Sequence, residues 1–143
     1  MKNTLSWFGV LCLLLPVSVA AAESLVSTAP DDAKVYFISP ADGETLTNPV
    51  SIKFGLKGMG VAPAGVDKPN TGHHHLLINA VELPAMDQPL PATDQIKHFG
   101  AGQTETELTL PPGTHKLQLL LGNQFHVPHH KPVLSDTITI MVK

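Results

Sequence analysis

Eight histidines lie between His73 and His130, and none stands outside that stretch. Neutral imidazole is a good ligand for Cu(II), Zn(II) or Ni(II). His73-His74-His75 opens an apolar run. Alternation along an extended segment sets His73 and His75 on one face, roughly 6–7 Å apart at a rise of about 3.3 Å per residue, with His74 opposite. Metal–nitrogen bonds of about 2.0–2.1 Å then let two such rings converge on one cation. A second group, His126-Val127-Pro128-His129-His130, lies in a stretch stiffened by Pro128 and Pro132. His98 stands between Lys97 and Phe99, ahead of Gly100 and Gly102, and His115 begins a strand-like run as a surface residue. The expected ligands are His73, His75, His126 and His129, with His98 next, and the expected cofactor is Cu or Zn.

The only cysteine is Cys12, so no thiolate accompanies these rings. Met59 and Met86 are the thioethers that would suit Cu(I), and Asp67 and Asp136 are carboxylates able to orient imidazole N–H groups. Spacings such as H-H-H and H-x-x-H-H are less specific than H-E-x-x-H. Two metal-free readings therefore stand beside the metal site. One is a hydrogen-bonded histidine network that orders its loops, in a structural or partner-binding envelope module. The other is a surface that responds to acidity through groups titrating near pH ~6.5. An enzyme ranks behind these, since the chain has no G-x-S-x-G, no H-E-x-x-H and no cysteine nucleophile, and Glu105 and Glu107 fall on a solvated strand face.

The elements that must position the rings are short strands. Met1–Ala22 has one charge at Lys2, an apolar run over Leu5–Val19, and the small-residue end Ala20-Ala21-Ala22. That order is the pattern of a secretory signal peptide cleaved before Glu23, with an apolar run too short to span a membrane. The expected location is periplasmic or secreted. Cleavage removes Cys12, which excludes a disulfide-stapled scaffold. The mature chain has eight Lys against twelve acidic residues and no Arg, so nucleic acid is excluded as a partner and anionic membrane surfaces are poor ones. The partners expected are a metal ion and, in the alternative reading, an envelope protein.

Residues 23–33 form a polar lead expected to be flexible, and 34–143 a single domain. Lys34–Ser39, Val50–Lys57, His73–Asn79, Thr104–Leu110, Thr114–Leu121 and Ser135–Val142 alternate apolar and polar residues, the signature of half-buried strands. The segment 58–72 is Gly- and Pro-rich and expected to be a long loop. Thr104–Leu110 and Thr114–Leu121, joined through Pro111-Pro112-Gly113, are expected to pair as a hairpin. Together these predict an all-β, immunoglobulin-like antiparallel sandwich of about seven short strands.

Five strings, K-V-Y-F-I-S-P-A-D-G-E-T (Lys34–Thr45), F-G-L-K-G-M-G-V-A-P-A-G (Phe54–Gly65), N-T-G-H-H-H-L-L-I (Asn70–Ile78), H-F-G-A-G-Q-T-E (His98–Glu105) and H-K-L-Q-L-L-L-G (His115–Gly122), carry a family likeness. The chain resembles the bacterial exported family catalogued as domain of unknown function 4399, from about Lys34 to Val142. The resemblance implies no established activity. It does imply that the recurring positions are His73, His74, His75, His98, His126 and His129, and that Asn123-Gln124-Phe125 departs from the family pattern.

Overall fold

The computed structural model describes residues 25–143, and the expected signal peptide lies outside them. Alternation builds the strands. In β3 (Val50–Lys57), Val50, Ile52 and Phe54 are buried while Ser51 and Lys53 face water. β3 pairs antiparallel with β1 (Lys34–Ser39) and β7 (Glu105–Leu108), making a three-stranded sheet.

A six-stranded sheet packs against it. Its path runs from β2 (Thr45–Leu46) through β9 (Ile138–Val142) and β8 (Gly113–Gly122) to β5 (Thr71–Ile78). On the far edge of β5 lie β4 (Gly60–Val61), beside its start, and then β6 (Ile96–His98), beside its middle. Val35, Val50, Ile52 and Phe54 from the small sheet meet Leu76, Ile78, Leu117, Leu119, Leu121, Ile140 and Val142 from the large one. The fold is the expected all-β sandwich, with nine strands because β2 and β4 are two-residue additions, each paired in parallel. Among the described residues no helix is long and apolar enough to cross a membrane.

The expected hairpin does not form. β7 pairs with β3, whereas β8 pairs with β5 and β9, so Pro111-Pro112-Gly113 carries the chain from one sheet to the other. The physical reason is burial. β7 and β8 each have one apolar face, and setting them in opposite sheets lets both faces cover the same core.

β5 departs from simple alternation, because His73 to Ile78 are all buried. Its inner face, with His74, Leu76 and Ile78, looks into the sandwich. Its outer face is roofed by the chain between β5 and β6, where Leu77, Leu90, Ile96 and Leu120 form a second small core. The segment 58–72 is tied along the start of β5 by the Gly60 N–H to Asn70 O (2.9 Å) and the Ala62 N–H to Gly72 O (2.9 Å). The described part of the N-terminal lead lies against the sandwich. Ala29 is buried in the main core, and Leu25 and Ser27 bond to the loop after β8.

Candidate metal centre

The outer face of β5 carries His73 and His75, two residues apart and therefore on one side. Register then brings in His98, since His75 pairs directly with His98 on β6. Directly opposed residues of an antiparallel pair project to the same face. Three imidazoles thus sit on a hydrogen-bonded strand framework. The fourth, His126, comes from the loop after β8.

That loop is built around Asn123, a buried side chain with both ends engaged. Its Oδ1 accepts from the Phe125 N–H (2.9 Å) and the Val127 N–H (3.1 Å). Its Nδ2 donates to Leu25 O (2.7 Å) and Ser27 Oγ (3.2 Å). Backbone bonds from Asn123 N–H to Val127 O and from His126 N–H to Asn123 O, both 2.9 Å, close the turn. His126 is held at φ 65°, a left-handed conformation uncommon for residues other than glycine. Its carbonyl is fixed in turn by the Leu90 N–H (3.0 Å).

In the resulting cluster, one ligand atom from each of His73, His75, His98 and His126 lies within 4.8 Å of every other. Ring centroids are 4.5 Å apart for His98–His126, 4.8 Å for His73–His75 and 5.0 Å for His75–His98. Nitrogens at the corners of a tetrahedral site stand about 3.4 Å apart if each bond is ~2.1 Å. Small side-chain rotations reach that spacing. His73 and His75 are buried, His126 is half-buried and His98 is exposed, so the cluster opens to solvent on the His98 side.

The electrostatics favour neutral ligands. Burial, then the charges that His98, His126 and His74 would carry, lowers the His73 pKa from 6.5 to about 4. Burial, then His73, His98 and His126, lowers His75 to about 3. His98 is lowered by burial and by His126. These rings keep their lone pairs at neutral pH, as a metal requires.

Their hydrogen bonding is incomplete. His73 Nε2 and His126 Nδ1 share a bond of 3.1 Å, but His73 Nδ1 and both nitrogens of His75 have no hydrogen-bond partner in the protein. A buried polar atom without a partner costs roughly 1–3 kcal/mol. A bound cation would relieve part of that cost, so the residues present fit a metal.

The other histidines are placed elsewhere. His129 is buried, but it is not one of the four gathered side chains. Burial lowers its pKa against opposing hydrogen bonds to the backbone of Leu121 and Thr71. His74 faces the inner core, its ring 5.2 Å from Phe54, and burial lowers its pKa to about 4.

His115 is buried rather than a surface residue, because β8 is central in its sheet. Its Nε2–H donates to Pro111 O (2.7 Å) and its Nδ1 accepts from Asn79 Nδ2 (3.0 Å). His130 is exposed and contributes its backbone N–H to Ser27 O (2.9 Å). Met59 packs on the main core and Met86 on the small one. Asp67 accepts from Gln124 Nε2 (3.4 Å), and neither it nor Asp136 is hydrogen-bonded to an imidazole. The sequence marks Asn123 only as part of a departure from the family pattern, not as the residue that organises the loop. An Asn four residues before a buried Val, in a loop with no regular pattern, gives little signal of its role.

Among solved structures, the X-ray structure of the endo-beta-1,4-mannanase from Thermotoga petrophila is similar to 78% of this chain, at 21% identity and a TM-score of 0.46. The matched region is 20% of the mannanase chain. No curated protein matches the sequence. Residues 52–143 match a protein family over most of the sandwich, including all four clustered histidines, and the chain belongs to that family, described as Domain of unknown function (DUF4399).

Proposed function

We propose that this protein binds a transition-metal ion, Cu or Zn, through His73, His75, His98 and His126, and handles that ion in an exported compartment rather than catalysing a reaction on it. The observation that carries the reading is the convergence of four imidazole atoms within 4.8 Å of one another, with buried nitrogens left unpartnered. An all-imidazole set suits borderline ions, and the exposed His98 edge gives an ion a route in and out. Export is inferred from the leader pattern over Met1–Ala22.

Metal analysis and titration of the purified protein with Cu(II) and with Zn(II), beside a His73→Ala/His75→Ala variant, test it. Tight binding of one ion per chain that the variant loses is the expected result. Equal, millimolar binding by both proteins would refute it.

One observation favours a second reading. The His73–His126 hydrogen bond joins β5 to the Asn123 loop without any ion. On that reading the cluster is a structural clasp in an envelope module. A chelator would then leave the melting temperature unchanged, and His→Ala substitutions would destabilise the fold.

A further inference from the structure

We propose that Gly100 is a positioning residue of the metal centre: because it has no side chain, His98 can lay its ring inward against His73, His75 and His126. The affinity part of this inference rests on the metal-binding reading; the ring-position part does not.

Gly100 follows His98 by two residues, in the turn that leaves β6, and that turn brings its backbone under the His98 ring. A Cβ built on Gly100 would lie 2.5 Å from His98 Nε2, closer still to Cε1, and 3.2 Å from Nδ1. All three nearest atoms belong to that one ring. Interiors pack at van der Waals distance, so ring and methyl cannot share the space.

Glycine is not needed here for its backbone. Gly102, two residues on, has φ 84° and requires glycine for that reason, whereas Gly100 is not among the positive-φ positions. Nor can the main chain readily step aside. The Phe99 N–H is bonded to His74 O (3.1 Å), and Gly100 O accepts from the Ala64 N–H (2.8 Å). The ring must give way, and as an exposed side chain it has solvent to turn into.

Gly122 has a comparable place beneath His75, where a Cβ would lie 2.7 Å from Cε1. It would also lie 3.3 Å from the backbone carbon of His126, inside a buried strand. Substitution there strains the fold, so Gly100 is the clean test.

Three variants decide it: Gly100→Ala, His98→Ala and the double substitution. Nuclear Overhauser contacts in the metal-free protein report where the ring sits. The wild type is expected to show contacts from His98 to His73 and His126, whose centroids lie 4.9 and 4.5 Å away. Gly100→Ala is expected to lose them while the rest of the amide spectrum is retained. In Cu(II) and Zn(II) titrations Gly100→Ala should weaken binding roughly 10- to 100-fold, the scale at which disturbed ligand orientation acts. It should match His98→Ala, and adding it to His98→Ala should change nothing further.

Retained contacts with wild-type affinity would overturn the proposal. So would an additive loss in the double variant, or a general loss of spectral dispersion, since both place the methyl against the fold instead of the ring. If the wild type binds neither ion, the metal reading fails, and the ring contacts still decide the role of Gly100.

Discussion

Replacing His75 by leucine sets stability against metal binding in a single residue. His75 is 1% exposed and neither ring nitrogen has a hydrogen-bond partner in the protein. A neutral imidazole has one donor and one acceptor, and leaving each unmatched costs about 1–3 kcal/mol. Leucine abolishes both penalties at similar volume, against a misfit typically below ~1.5 kcal/mol. The metal-free variant should therefore be more stable than the metal-free wild type by about 0.5–4.5 kcal/mol. For a domain of this size each kcal/mol moves the melting temperature by roughly 3–5 °C.

The response to metal should reverse that order. An ion at 100 times its dissociation constant stabilises the wild type by about 2.7 kcal/mol, and the leucine variant should gain nothing. The assay is urea unfolding of both proteins, once with a chelator and once with Cu(II) or Zn(II) in excess. A variant less stable than wild type by about 1 kcal/mol or more in chelator would refute the reasoning. The imidazole nitrogens would then be satisfied without an ion, and the cluster would be a structural clasp.

Acidification should weaken the metal-free protein. His73, His74 and His75 have folded pKa values below 6.5, so the unfolded chain takes up protons first, and the stability present above about pH 6.5 is lost as pH falls toward about 4. For His74 the change from 6.5 to about 4 is worth on the order of 3 kcal/mol; urea midpoints from about pH 7.5 to about pH 4.5 should show a slope that His74→Phe flattens, and equal slopes would count against it. Asn123→Ala removes four hydrogen bonds and should cost about 2–4 kcal/mol by urea unfolding while also weakening metal binding. Asn123→Asp, which keeps the acceptor, should fall between. His129→Leu should leave metal stoichiometry unchanged and affinity within about threefold in the same titrations, below the scale of a lost ligand-orienting contact; loss of the ion would bring His129 into the site.

Much of the sandwich is legible in the chain itself. Ile52, Phe54 and Leu56 alternate with polar residues because one face of β3 meets the core, and a period of two is visible in any strand buried on one side. The failure at β7 and β8 has the same origin. Alternation tells which side of a strand is apolar, not which neighbour it pairs with, and the Pro111-Pro112-Gly113 turn fits a crossing between sheets as well as a hairpin. β5 is legible as a strand but not as one buried on both faces, because its roof comes from residues 80–98 and 123–130.

The same division runs through the site. His73 and His75 share a face by strand geometry alone, and the sequence by itself determines that pair and the imidazole chemistry available to it. His98 joins through a cross-strand register with His75, set by contacts 23 positions apart in the chain. Spacing put both His126 and His129 among the expected ligands, and the four gathered side chains include only His126. Asn123 turns His126 into the left-handed region and toward His73, and the chain then carries His129 to a buried position outside the four. Gly100 reads as loop punctuation in the chain, and only the ring of His98 lying over it gives it another role. A ligand set depends on the convergence of side chains from separate elements within a few ångströms, and only the tertiary structure decides which residues meet.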